Sequence, residues 1–187
     1  AECGGGAVAG AVCGAGRGCC GGALEAGSAM VQAPKYGGWA GGGDEMAERM
    51  SGLFWQEDVI EERAGIVPIP LASARKRERG YNQSELLARG LSQRWRIPVW
   101  DGVVDRSRET SSQTRLTPEE RQGNVAGSFQ IRSGKLESLA GAHIIVVDDV
   151  VTTAATLNEC AKVLYDAGAR IISYVTFGRA HASGDRL

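Results

Sequence analysis

Four consecutive β-branched residues, Ile144 to Val147, predict a strand buried on both faces, as in a parallel sheet. Downstream, Leu157, Cys160, Ala161 and Leu164 fall at i, i+3, i+4 and i+7, so a helix with one apolar face follows, and Gly168 stops it. Ile171 to Phe177 then reads as a second strand, completing a strand, helix, strand unit. Upstream, Ile66 to Leu71 is apolar but carries two prolines, which forbid a helix and predict an extended segment. A helix with Leu86, Leu87, Leu91 and Trp95 on one side comes after it. Another is expected from Asp44, an N-cap, with Met46, Ala47, Met50, Leu53 and Phe54 on one face. Alternating strands and helices of this kind predict an α/β domain.

Candidate chemistry sits at the strand ends, where open α/β sheets bind ligands. The Ile144–Val147 run leads straight into Asp148 and Asp149, then into Thr152, Thr153, Ala154, Ala155 and Thr156 at the mouth of the next helix. Backbone N–H groups in such a turn converge, the helix dipole adds positive potential, and hydroxyls add donors, so the turn suits a phosphate monoester. The two carboxylates before it can accept hydrogen bonds from a ribose and help hold a magnesium ion carried by substrate phosphates. Taken alone, an acid pair after a strand is most often a solvated strand end. Arg75-Lys-Arg-Glu-Arg79, read here as a basic loop, places four cations in five residues, and such runs usually form only a solvated face or a loose nucleic-acid patch. The polar stretch from Arg108 to Val125 lacks strong periodicity at first, then offers a helix start in which Thr117 is the N-cap, Pro118 the first helical residue and Glu120 completes a capping box. Long polar stretches inside compact domains are commonly lids or connectors.

The acid pair, Thr-Thr and Thr156 in this order resemble the ribose-phosphate motif of type I phosphoribosyltransferases, two acids followed by Thr-Thr-Gly-x-Thr. Val67-Pro-Ile-Pro70 with Arg79-Gly-Tyr-Asn-Gln83 is similar to the Val-Pro-x-Pro-Leu and Arg-Gly-Phe-Asn-Gln signatures of the ComF family, and Gln113-Thr114, the 116–121 segment and Asn124-Val125 match its third motif. The resemblance covers roughly Lys35 to Ala180. It implies a type I phosphoribosyltransferase fold, a central mostly parallel sheet with helices on both faces. It also implies transfer of ribose 5-phosphate from phosphoribosyl diphosphate to an acceptor, with magnesium, and release of diphosphate. Asp148 and Asp149 would hold the ribose hydroxyls and the metal, and Thr152 to Thr156 the 5-phosphate. Arg77 and Arg79, with the backbone at Pro70 to Ser73, would hold the diphosphate, and residues 108 to 125 would form the lid. Ala154 replaces the family glycine, which matters if the turn needs positive φ. Thr152 stands where purine-type relatives often carry an acid, which argues against a purine-salvage mechanism. The acceptor stays open. So do a sensor that binds phosphoribosyl diphosphate without turnover and an accessory role in DNA uptake beside a helicase, as well as a homodimer.

Composition refines this reading. At 187 residues the chain can bury one α/β core, and a net charge of −1 gives no global pull toward nucleic acid or acidic membranes. No apolar run reaches membrane-spanning length, and the start lacks the basic and apolar regions of a signal peptide, so a cytoplasmic protein is expected. Fifteen of the 27 glycines lie in residues 1 to 43 with only four charges. This low-complexity segment is not expected to build a core, and the first 33 residues are expected to be dispensable for folding. ComF-like proteins often begin with a zinc ribbon, and the Lys35-Tyr-Gly-Gly-Trp39 element that follows it is present. Cys3, Cys13, Cys19 and Cys20 nevertheless include no Cys-x-x-Cys, and tetrahedral zinc needs ligands on short chelating turns, so residues 1–43 read as a degenerate remnant without Zn2+ and 44–187 as the phosphoribosyltransferase domain. Cys160 is expected in the core. His143 and His181 lie in no nucleophile motif.

Overall fold

A computed structural model describes residues 8–12, 39–52, 63–107, 125–151 and 154–179, with side chains over 43–52, 65–107, 125–151 and 154–177. The elements run β1 (Val8–Val12), α1 (Trp39–Ser51), β2 (Arg63–Pro68), α2 (Ser73–Arg79), α3 (Gln83–Trp95), β3 (Val104–Arg106), β4 (Phe129–Ile131), α4 (Leu136–Leu139), β5 (His143–Val151), α5 (Ala155–Asp166) and β6 (Ile171–Arg179). The main sheet has the order β1-β6-β5-β2, with β2, β5 and β6 parallel and β1 antiparallel on the β6 edge. On the other edge the chain passes β2 once more, through hydrogen bonds from Ile66 N to Pro98 O (2.9 Å) and from Trp100 N to Ile66 O (2.8 Å).

The β-branched run of β5 is fully buried because each face meets its own layer. Ile144 and Val146, with Val67 and Ile172, pack against Leu157, Cys160 and Leu164 of α5. Ile145 and Val147, with Ile66, Val175 and Phe177, pack against Met46, Ala47 and Met50 of α1 and Leu87, Ala88 and Leu91 of α3. Alternation along the strand thus sends successive side chains to opposite helical layers. All four apolar positions expected of α5 are buried, and Gly168 follows the helix at φ 102°. Among the described residues no helix is long and apolar enough to cross a membrane.

Two local expectations are corrected, and a third gains a structural context. The helix expected from Asp44 begins at Trp39, so Asp44 lies inside α1, where its carboxylate accepts from Arg94 Nη1 (2.9 Å) rather than capping the helix. The basic run is not a loop but the helix α2: Arg, Lys and Glu are good helix formers, and Gly80 at φ 78° closes it with an N–H bond to Lys76 O. In the glycine-rich start, Val8–Val12 pairs with β6 from Val8 opposite Thr176 to Val12 opposite Ile172. This stretch therefore belongs to the main sheet, and the expectation that residues 1–33 are dispensable now includes loss of an edge strand. The four N-terminal cysteines, Leu53, Phe54, residues 108–124 and Thr152 and Thr153 lie outside the described residues.

Helices α1 and α3 meet through small residues. A Cβ on Gly90 would stand 2.5 Å from the Ala47 Cβ, inside any real carbon–carbon contact. Gly90→Ala is therefore expected to destabilise the fold by about 1–3 kcal/mol in urea unfolding, in spite of alanine's better helix propensity. Adding Ala47→Gly should recover part of that loss, because the two changes act on one contact; simple additivity in the double variant would show that the helices do not meet as described.

Candidate functional site

The carboxyl ends of β2 and β5 open on a cleft of about 220 Å³. Its walls are the loop Ile69–Ala72, Arg75 and Arg79 of α2, Gln83 and Ser84 of α3, Arg106 of β3, Asp148 to Val151 of β5, and Ala154 to Leu157 at the start of α5. The loop after β2 is held from two sides: Ile69 N donates to Val147 O (2.9 Å), and the Asn82 side chain donates to Ile69 O (2.9 Å). The same Asn82 caps α3, its Oδ1 accepting from Ser84 N (3.1 Å). One buried carboxamide thus fixes both the loop and the helix that face the acid pair.

Asp148 and Asp149 lie within β5, which runs further than the apolar pattern suggests. Asp148 Oδ1 accepts from Ser84 Oγ (2.9 Å) and from Asp149 N (3.0 Å), while Asp149 Oδ1 accepts from Val150 N (2.8 Å). Enough protein surrounds the half-buried Asp148 that loss of hydration, reinforced by the charge of Asp149, pushes its pKa up to about 8. The hydrogen bonds from Ser84 and the Asp149 amide oppose this shift. Cys160 lies fully buried nearby, its thiol pushed up by burial and then by the Asp148 charge, which makes it an inert core group.

The cations come from two elements. Arg75 and Arg79 are one helical turn apart and both border the cleft, whereas Arg77 projects from another side of α2 and does not line it. Of the two arginines expected at the diphosphate, the structure therefore brings Arg79 to the cleft and leaves Arg77 out. Arg106, which the sequence pattern does not reveal, lines the cleft as well. Its guanidinium sits 5.3 Å from the centre of the Phe129 ring, and burial and then the neighbouring Arg75 lower its pKa, with Asp148 acting in the opposite sense. A three-residue strand in a polar context carries too little periodicity to be found in sequence. Ser84 was equally hidden, since a serine at the start of an amphipathic helix reads as part of a cap.

The turn into α5 has a backbone conformation that favours glycine. Ala154 adopts φ 57°, ψ 3°, the left-handed conformation, at the N-cap of α5, and it offers no side chain to the first-turn amides. The N–H groups of the first helical turn point out of the helix start there, with Thr156 beside them at the edge of the cleft. Ala154→Gly should relieve a strain of about 1–2 kcal/mol, partly offset by the greater freedom of glycine in the unfolded chain, for a net gain near 1 kcal/mol in urea unfolding. A loss of stability would show that Ala154 is not strained.

Two carboxylates are too few to hold an ion alone, and among the described residues no group of three or more His, Cys, Asp or Glu side chains could do so. The pair fits magnesium only as an ion shared with ligand phosphates. Around it in the same cleft stand Arg75, Arg79, Arg106 and the start of α5, an arrangement of cations and a helix N-terminus suited to an anionic ligand.

Comparison with known proteins agrees in kind. Residues 52–186 match the model of the phosphoribosyl transferase domain. Competence protein F of Haemophilus influenzae is 36% identical over 115 residues, 62% of this chain and 50% of that protein. DNA utilization protein YhgH of Salmonella typhi is 34% identical over 136 residues, 68% and 58% of the respective chains, and competence protein ComFC of Bacillus subtilis is 36% identical over 103 residues, 55% and 39%. The chain spans about half the length of the curated relatives it matches. An acid pair on a central parallel strand, a left-handed turn into the next helix and a domain match over 52–186 lead to one assignment: the chain belongs to the phosphoribosyl transferase domain family, as a ComF-type member.

Proposed function

We propose that the cleft binds phosphoribosyl diphosphate with magnesium and transfers ribose 5-phosphate to an acceptor nucleophile. The observation that carries this reading is the juxtaposition of Asp148 and Asp149 with the uncapped α5 start on one side and with Arg75, Arg79 and Arg106 on the other. The acid pair would accept hydrogen bonds from the ribose hydroxyls and share the metal. The α5 amides and Thr156, with Thr152 and Thr153, would hold the 5-phosphate. The arginines and the Pro70–Ala72 backbone would hold the diphosphate, the roles first expected of Arg77 and Arg79 passing to Arg75, Arg79 and Arg106. Magnesium, when bound with the substrate, would neutralise part of the departing charge. In the transfer the acceptor's lone pair forms a bond to the ribose anomeric carbon as the bond from that carbon to the diphosphate oxygen breaks. No protein nucleophile is needed, since positioning and charge stabilisation meet the barrier.

A second reading, a non-catalytic accessory of DNA uptake, is favoured by relatives named for competence and DNA utilization and by the exposed Lys76, Arg77 and Arg79 on α2, and a phosphoribosyl diphosphate sensor is the form of the first reading that lacks turnover. Isothermal titration with phosphoribosyl diphosphate and magnesium, followed by assay of diphosphate release across a panel of nitrogen bases and amines, separates the two. Binding with turnover supports the transferase; binding without turnover supports the sensor; no binding removes the proposal.

A further inference from the structure

We infer that the Gln83 carboxamide is a substrate-binding group, hydrogen-bonding the ligand where its ribose meets its diphosphate. The inference rests on the phosphoribosyl diphosphate reading above and adds a residue to it.

Three consecutive polar residues, Asn82, Gln83 and Ser84, are nearly buried, at 2%, 5% and 3% exposure, in a layer that is otherwise apolar. Burying polar side chains is unfavourable unless each finds a partner, so each should have a task. Two tasks are visible. Asn82 caps α3 and anchors the loop after β2 through Ile69 O, and Ser84 donates to Asp148 Oδ1. The Gln83 carboxamide makes no hydrogen bond among the described residues. It is also unlike Ser128 Oγ and Thr176 Oγ1, which are buried with no partner among the described residues, because Gln83 borders the cleft.

Its neighbours locate the contact. On one side Ser84 touches the acid pair that would hold the ribose, and on the other Asn82 holds the loop that would carry the diphosphate. Gln83 lies next to both and lines the same cleft, so its carboxamide would be within reach of the part of the ligand that joins the two. A carboxamide is suited to that position: it donates and accepts without adding charge, whereas another carboxylate would repel the diphosphate and another cation would pair with Asp148. As a donor to the oxygen that joins ribose to diphosphate, it would be worth more as that oxygen gains charge on leaving.

Gln83→Met keeps the length and volume of the side chain and removes both hydrogen-bonding atoms. If the carboxamide serves only the ligand, the thermal midpoint of the ligand-free variant will equal or exceed that of the native chain. Titration with phosphoribosyl diphosphate and magnesium should then show affinity about tenfold weaker. Where turnover is measurable, kcat should fall more than KM rises. A clear drop in the ligand-free midpoint, or unchanged affinity for phosphoribosyl diphosphate, would overturn the assignment. Failure of the native chain to bind would remove the functional reading itself, and that result is read without the variant.

Discussion

Replacing Asp148 and Asp149 together by asparagine is expected to weaken binding of magnesium phosphoribosyl diphosphate by a hundredfold or more. Each carboxylate would lose a charge-assisted contact of about 1.5–3 kcal/mol, and about 3 kcal/mol in total is already two orders of magnitude. Unchanged affinity would move the ligand elsewhere. The free protein should respond in the opposite direction. Asp148 has a folded-state pKa near 8 against an ordinary value of 3.8, so the folded chain keeps a proton that the unfolded chain releases. Its contribution to stability is therefore complete below about pH 4 and is lost as pH rises toward and through 8. Asparagine imitates the protonated acid, and Asp148→Asn alone should flatten this part of the stability profile, making the variant relatively more stable at pH 9 than at pH 5. Urea unfolding at several pH values reads this directly. Binding carries the mirror image: a cationic metal and sugar hydroxyls both prefer the ionised acid, so native affinity should improve between pH 6 and 8 by more than that of Asp148→Asn does.

Much of this arrangement was legible in the sequence because strong local rules coincide there. The four apolar β-branched residues before Asp148 could only be a central strand, and the i, i+3, i+4, i+7 pattern of α5 has each of its members buried. Strand, acids and helix start in that order fix the cleft floor. What escaped notice depends on distant parts of the chain. Arg106 reaches the cleft from a three-residue strand paired with Phe129–Ile131, and no local pattern records that pairing. Ser84 meets Asp148 across 64 positions of sequence. A basic run in a loop lets every cation turn inward, whereas in the helix α2 Arg75 and Arg79, four apart, share the cleft side and Arg77 does not. Glycines at 41–43 argue against helix and hide the start of α1 at Trp39, yet small residues such as Gly43 and Ala47 permit its close contact with α3. The status of Ala154 needed a dihedral angle, which composition cannot supply.

Substituting Arg75, Arg79 and Arg106 together by alanine is expected to lower affinity for magnesium diphosphate by at least a hundredfold, and the same experiment decides what the basic run is for. Charge-assisted bonds to phosphate are worth about 1.5–3 kcal/mol each, and the half-buried Arg106, already partly desolvated against Phe129, should carry the largest share. Lys76 and Arg77 are left in place in that variant. They face solvent on α2, Lys76 engaged with Glu85 at 3.0 Å, and they form the obvious surface for a nucleic-acid backbone. If the cluster serves diphosphate, the native chain should hold single-stranded DNA weakly and release it when magnesium diphosphate is added, because the arginines common to both ligands are withdrawn. A nucleic-acid site would behave otherwise: its affinity would fall steeply with salt through release of counterions, would be indifferent to diphosphate, and would survive the triple substitution while collapsing on Lys76→Ala with Arg77→Ala. Tight binding of single strands at physiological salt that diphosphate does not displace would put α2 outside the substrate site, and would place the DNA-uptake reading ahead of the transferase.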